Sequence, residues 1–168
     1  MFALMACFGS LGSGLAVAQY WPAACGPENV EYKVSKQASA GPVVADPAKA
    51  TLVFVQRFGP CLGCSTTRVG LDGGWVGAVK GGAFFSVTVP AGEHHVCAVW
   101  SGPMVVSEGR FGLTELQAEA GKVYYFEPLI VTFGQGDRPM LLLNALSGDM
   151  GAFLVGQSDK SASTAKGK

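Results

Sequence analysis

Residues 68–100 read RVGLDGGWVGAVKGGAFFSVTVPAGEHHVCAVW. This stretch decides the fold, because short apolar runs alternate with glycine turns along its whole length. Val69 and Leu71 alternate with small or polar neighbours, and Asp72-Gly73 follows. An Asp-Gly pair between alternating apolar residues signals a hairpin, since a type I′ turn needs positive φ at both central positions. Trp75, Val76 and Val79 supply the returning strand, and Lys80-Gly81-Gly82 the next turn. Phe85, Val87 and Val89 then fall on one face, with Phe84, Ser86 and Thr88 on the other. Pro90-Ala91-Gly92 stops that strand, because Pro donates nothing to a ladder and Gly permits positive φ. The last strand puts His94, Val96, Ala98 and Trp100 on one face. Glu93, His95, Cys97 and Val99 take the opposite face.

The same pattern continues outward. TLVFVQ at 51–56 is β-branched and aromatic and predicts a strand. RFGPCLGC at 57–64 reads as a loop. Residues 101–112 are looser, with a short apolar step at Met104-Val105-Val106. Strands are expected over 113–118 and 123–126, the latter interrupted by Pro128 and resumed at 129–132. A last apolar strand covers 140–143. Ser147 is placed to cap a short helix over 148–157, with Met150, Phe153 and Leu154 at helical spacing. The sum is an all-β chain, an antiparallel β-sandwich of about eight strands with a short C-terminal helix.

Three strings within this pattern carry a resemblance. TTRVGLDGGWVGAVKGG, then GEHHVCAVW, then AEAGKVYYFEP resemble a bacterial envelope family catalogued as domain of unknown function 2846. The likeness covers roughly residues 50–131, with a weaker continuation towards 157. Its motifs are a V-x-L-D-G turn at Asp72 and Gly73, a P-x-G-x-H strand start at Gly92 and His94, and an A-G-K-x-Y-Y-F strand start at Gly121, Tyr124 and Tyr125. The resemblance implies an exported β-sandwich, in which those seven residues are structural, and it implies no reaction.

Composition agrees with a packed domain. Of 168 residues 49% are hydrophobic and 14% charged, which favours a core over general disorder. Twenty-four Gly and nine Pro point to many turns rather than long helices. Twelve basic and twelve acidic residues cancel, so nothing calls for nucleic acid, whose binding needs clustered Lys and Arg.

The first 18 residues, MFALMACFGSLGSGLAVA, are apolar and small, and Ala16-Val17-Ala18 forms an A-x-A cleavage site. They read as a signal peptide, although no Lys or Arg precedes the apolar run, so the expected start of translation lies upstream. The competing reading is a membrane anchor helix, and an uncleaved leader would be the only membrane contact. A lipid anchor at Cys25 is a minor option, because Pro22-Ala23-Ala24 lacks the expected Leu. Residues 19–49 read as a linker with one possible edge strand, where Val30, Tyr32 and Val34 alternate with Glu31 and Lys33. The sandwich is expected over 50–157, and 158–168 as a disordered polar tail.

Cys25, Cys61, Cys64 and Cys97 remain after the leader, an even number in an exported chain. Two disulfides are expected, with Cys97 tied to the Cys61–Cys64 loop and Cys25 taking the remaining partner. Two sharper readings compete. Cys61-Leu62-Gly63-Cys64 is a redox-type C-x-x-C, but no helix follows it to stabilise a thiolate. Cys61, Cys64, His95 and Cys97 would suit zinc or copper as a Cys₃His set if the loop folds over the strand.

His94 shares a face with Val96, Ala98 and Trp100, which favours a semi-buried, hydrogen-bonded ring over a ligand. Alternation puts Phe84 and Phe85 on opposite faces, and likewise Tyr124 and Tyr125. The second aromatic face either binds something or is covered by the other sheet, the helix or the linker. No G-x-S-x-G, H-E-x-x-H or phosphate loop is present. The expectation is a protein that is not an enzyme: a binding or structural module of the periplasm or cell envelope, needing no cofactor, with an unknown envelope partner or ligand. A partner would add to a sheet edge or dock on an aromatic face. The alternative is an envelope metal- or thiol-redox-handling protein.

Overall fold

The computed structural model describes residues 21–38, 41–57, 66–101, 110–131, 134 and 140–166. Among these, ten strands and one helix form two sheets. The strands are β1 (Tyr32–Gln37), β2 (Ala50–Gln56), β3 (Thr66–Leu71), β4 (Gly74–Lys80), β5 (Ala83–Val89), β6 (Gly92–Ser101), β7 (Phe111–Ala118), β8 (Val123–Val131), β9 (Met140–Leu146) and β10 (Asp159–Ala165). The helix, α1 (Gly148–Gly156), lies between β9 and β10. One sheet has the order β1-β10-β5-β2-β8-β9, the other β4-β3-β6-β7.

The expected all-β sandwich is present, and the eight expected strands are β2 to β9. Most pairings are antiparallel, but β2 with β8 and β5 with β10 are parallel. The reason is topological. Between β2 and β8 the chain builds the whole second sheet, so it returns by a long crossover rather than a hairpin. Pro128 does not split β8. The β2 ladder ends at Phe54↔Phe126, and beyond it Pro128 is paired only with Leu143 of β9, so one side of the strand needs no N–H.

The core lies between the sheets. Ala50, Leu52 and Phe54 of β2, Phe85 and Val89 of β5 and Phe126 of β8 meet Val69, Val79 and Val96 of the facing sheet. Phe54 stacks between Phe85, at 5.2 Å, and Phe126, at 5.5 Å. β2 is buried on its other face too, where Val53, Val55 and Phe84 lie under Val155 of α1. Ser147 caps α1 by accepting the Met150 N–H at 3.3 Å. The helix therefore covers the outer aromatic face that holds Phe84 and Tyr125.

Two expectations about the chain ends change. The polar stretch after 158 is not a free tail: β10 pairs with β1 from Tyr32↔Ala165 to Gln37↔Lys160. Ser163 Oγ accepts the Ala78 N–H at 3.0 Å, which ties β10 to the edge of the other sheet. The sandwich thus takes in strands on both sides of 50–157, and the linker's alternating segment is the edge strand β1.

Candidate functional site

β3, β4, β6 and β7 turn a second face away from the core. Gly70, Trp75, Cys97, Val99 and Phe111 lie there, and residues 21–27 cover them. Cys25 is bonded to Cys97, with Cα atoms 5.2 Å apart and a separation of 72 positions in sequence. Polar contacts fix the rest of the segment. Gly73 N–H donates to Ala24 O at 3.2 Å and Trp75 Nε1 to Pro27 O at 2.8 Å. Trp21 Nε1 donates to Gly26 O at 2.9 Å. Trp21 sits edge-on to Trp75 and to Phe111, with centroids 6.4 and 5.3 Å apart. Gly26 permits this approach, because a Cβ there would fall 2.4 Å from the Trp75 ring.

Beyond the cysteine the segment crosses Arg68. Arg68 Nη1 donates to Glu28 O at 3.0 Å and also to Val30 O, and the guanidinium lies 4.6 Å over the Trp75 ring. Arg110 has a parallel arrangement, 5.2 Å over Trp21 and 5.1 Å over Phe111, with Nη2 donating to Glu28 Oε1 at 3.1 Å. Lys166, just past β10, pairs with Glu31 at 2.8 Å. These groups, with Asn29, Tyr32, Thr66 and Ser101, line a groove of about 730 Å³. Arg68 is only 8% exposed, and burial followed by the Arg110 charge pulls its pKa down, against the opposing effect of Glu28, Glu31 and Tyr32. Nε of Arg68 and Nε of Arg110 are buried and have no hydrogen-bond partner among the described residues.

The histidines lie elsewhere. His94 Nδ1 meets Asp72 Oδ2 at 2.7 Å and His94 Nε2 meets Pro90 O at 3.0 Å. Both ring nitrogens face acceptors, so the protonated imidazolium satisfies both and no lone pair is left for base or ligand work. The Asp72 bond raises the His94 pKa, opposed by burial. Burial pushes Asp72 up, but its bonds to His94 and to the His95 amide, with the histidine charges, hold it below the usual carboxylate value. Asp72 and Gly73 have φ of 50° and 85°, the turn that the Asp-Gly pair predicts. His95 is exposed between Glu93 and Glu115, at 3.6 and 3.7 Å.

Gly92 and Gly121 stand in turns, with φ of 141° and 78°. The Tyr124 hydroxyl accepts the Glu119 N–H at 3.1 Å and closes the β7–β8 turn. Tyr125 packs under α1, where burial raises its pKa.

The cysteine pairing differs from expectation. Cys97 takes Cys25, not the Cys61–Cys64 loop, because residues 21–27 lie on the same outer face as Cys97. Cys61 and Cys64 fall outside the described residues. The Cys₃His set for zinc or copper is overturned at Cys97, whose sulfur is spent in a disulfide and is no thiolate. Among the described residues no group of three His, Cys, Asp or Glu side chains could hold a metal ion, and no helix is long and apolar enough to cross a membrane.

Sequence reasoning missed Arg68 and Arg110. An Arg on the outer face of a strand reads as solvated, and the only hint was its company of Trp75 and Phe111 in neighbouring strands. A second feature emerges at the open rims, where exposed Leu113, Met140 and Leu142 flank a cleft of about 460 Å³ between β7 and β9. No family model, curated protein or solved structure matches this chain.

Proposed function

We propose that this chain is a non-enzymatic, exported binding module of the bacterial cell envelope. The carrying observation is the Cys25–Cys97 bond, which closes 21–30 over the four-stranded sheet and so builds the wall of the groove. Disulfides persist in oxidising compartments, which agrees with the A-x-A leader and with the family resemblance over 50–131. His94 suits a structural role in this reading, since neither ring nitrogen is free. The protein would present a preformed concave surface to a ligand or envelope partner.

Fractionation of the full-length protein tests the compartment, and non-reducing peptide mapping tests the staple. Recovery from the periplasm with Cys25 and Cys97 in one linked peptide pair is expected. Retention in the cytoplasm with both thiols free overturns the reading, and so does turnover of a substrate that one side-chain change abolishes.

A further inference from the structure

We infer that the groove at Arg68 and Arg110 is a binding site for a compact oxyanion, a carboxylate or phosphate group. The inference rests on the reading of the chain as a binding module and supplies the ligand chemistry.

Charge accounting leads to it. Arg110 has the Glu28 carboxylate and Lys166 has Glu31. Arg68 has no carboxylate within ion-pair distance among the described residues, although it is the most buried of the three. Its described partners are two backbone carbonyls, both at Nη1. Buried charges are ordinarily paired, because an uncompensated one carries its desolvation cost alone. Arg110 makes matters worse, since its like charge acts on Arg68 in the same groove. An anion between the two would relieve that repulsion.

The hydrogen bonding points the same way. Each guanidinium carbon lies over aromatic rings, Trp75 for Arg68 and Trp21 and Phe111 for Arg110. The terminal Nη groups are the donors that can face the groove, since each Nε is itself shielded from it and, among the described residues, makes no hydrogen bond. A planar guanidinium presents N–H donors that fit carboxylate and phosphate oxygens, and an anion brings the opposite charge that water in the groove does not. Thr66 and Ser101 add hydroxyls to the wall.

The stacked tryptophans serve as reporters. The full chain is titrated with sodium phosphate and, separately, with sodium acetate, ionic strength being held constant with chloride. Tryptophan fluorescence and the NMR signals of the arginine Nε–H groups are followed together. A saturable change is expected with at least one of the two anions and none with chloride. Arg68→Gln and Arg110→Gln are each expected to weaken it about tenfold or more. Saturation by phosphate alone, acetate alone or both supports the site and selects the ligand class. If Arg68→Gln loosens the segment it anchors, Arg110→Gln and the wild-type Nε–H shifts decide. No saturable response to either anion, or a response unchanged in both variants, overturns the site. An exported, stapled protein that ignores both anions keeps the binding-module reading and loses this one; a cytoplasmic thiol protein that binds them does the reverse.

Discussion

Asp72 and His94, 22 residues apart, are joined at 2.7 Å between Oδ2 and Nδ1, and Asp72 Oδ1 accepts the next amide, that of His95, at 2.8 Å. One carboxylate thus locks the β3–β4 turn to the start of β6. The pair gives stability a pH window. His94 is raised, so its contribution is complete below about pH 6.5 and fades as pH rises through the raised folded value. Asp72 is lowered, so its contribution is present above about pH 4 and fades as pH falls through the depressed value. The unfolding midpoint of the wild type should exceed that of Asp72→Asn most clearly between those limits. A difference that is constant from pH 4 to pH 9 would refute the linkage.

Reducing the Cys25–Cys97 bond frees a loop of 72 residues. Chain entropy alone puts its worth at about 4 kcal/mol. Denaturant unfolding of the Cys25→Ala/Cys97→Ala double variant should show a loss of that order, with Trp21 and Trp75 becoming more exposed to quencher. An unchanged midpoint and unchanged quenching would mean that the aromatic contacts hold residues 21–27 unaided.

Glu127 is 1% exposed and faces Arg57, which donates to Oε1 through Nε and to Oε2 through Nη2 at 2.9 Å. Arg57→Leu alone strands the carboxylate and should cost about 1–3 kcal/mol. Arg57→Leu/Glu127→Leu should cost less than the two single changes summed, because the buried charge goes with its partner. Strict additivity in the double-mutant cycle would disprove the coupling.

Ending the chain after Gln157 removes β10 and with it the partner of β1. Hydrogen exchange should then show the β1 amides unprotected while those of β2, paired on both sides, stay slow. Persistent protection in β1 would show that it holds its place without β10.

The contrast between β6 and β10 explains what could be read in advance. β6 announces itself by alternation: Val96, Ala98 and Trp100 inward, Cys97 and Val99 outward. β10, DKSASTA, has no large apolar residue and buries only Ser161. Its order comes from β1, more than a hundred residues earlier, and a local pattern carries no trace of so distant a partner. The same limit hid the site. Arg68 looks solvated within TTRVGL until residues 28–30 cross it, and Cys25 looks like part of a linker until that linker is laid on β6. Local chemistry, such as the Asp72-Gly73 turn, was legible; contacts supplied by the covering segment were not.

Tyr32 and Ala165 face each other across the β1–β10 ladder, so the start of the first strand and the finish of the last lie side by side at one rim. A force pulling those two residues apart would load that ladder one rung at a time, as in opening a zipper, rather than shearing all its rungs together. Mechanical opening would begin at low force there, and the sulfur clasp between 25 and 97 would limit how much chain could be paid out afterwards.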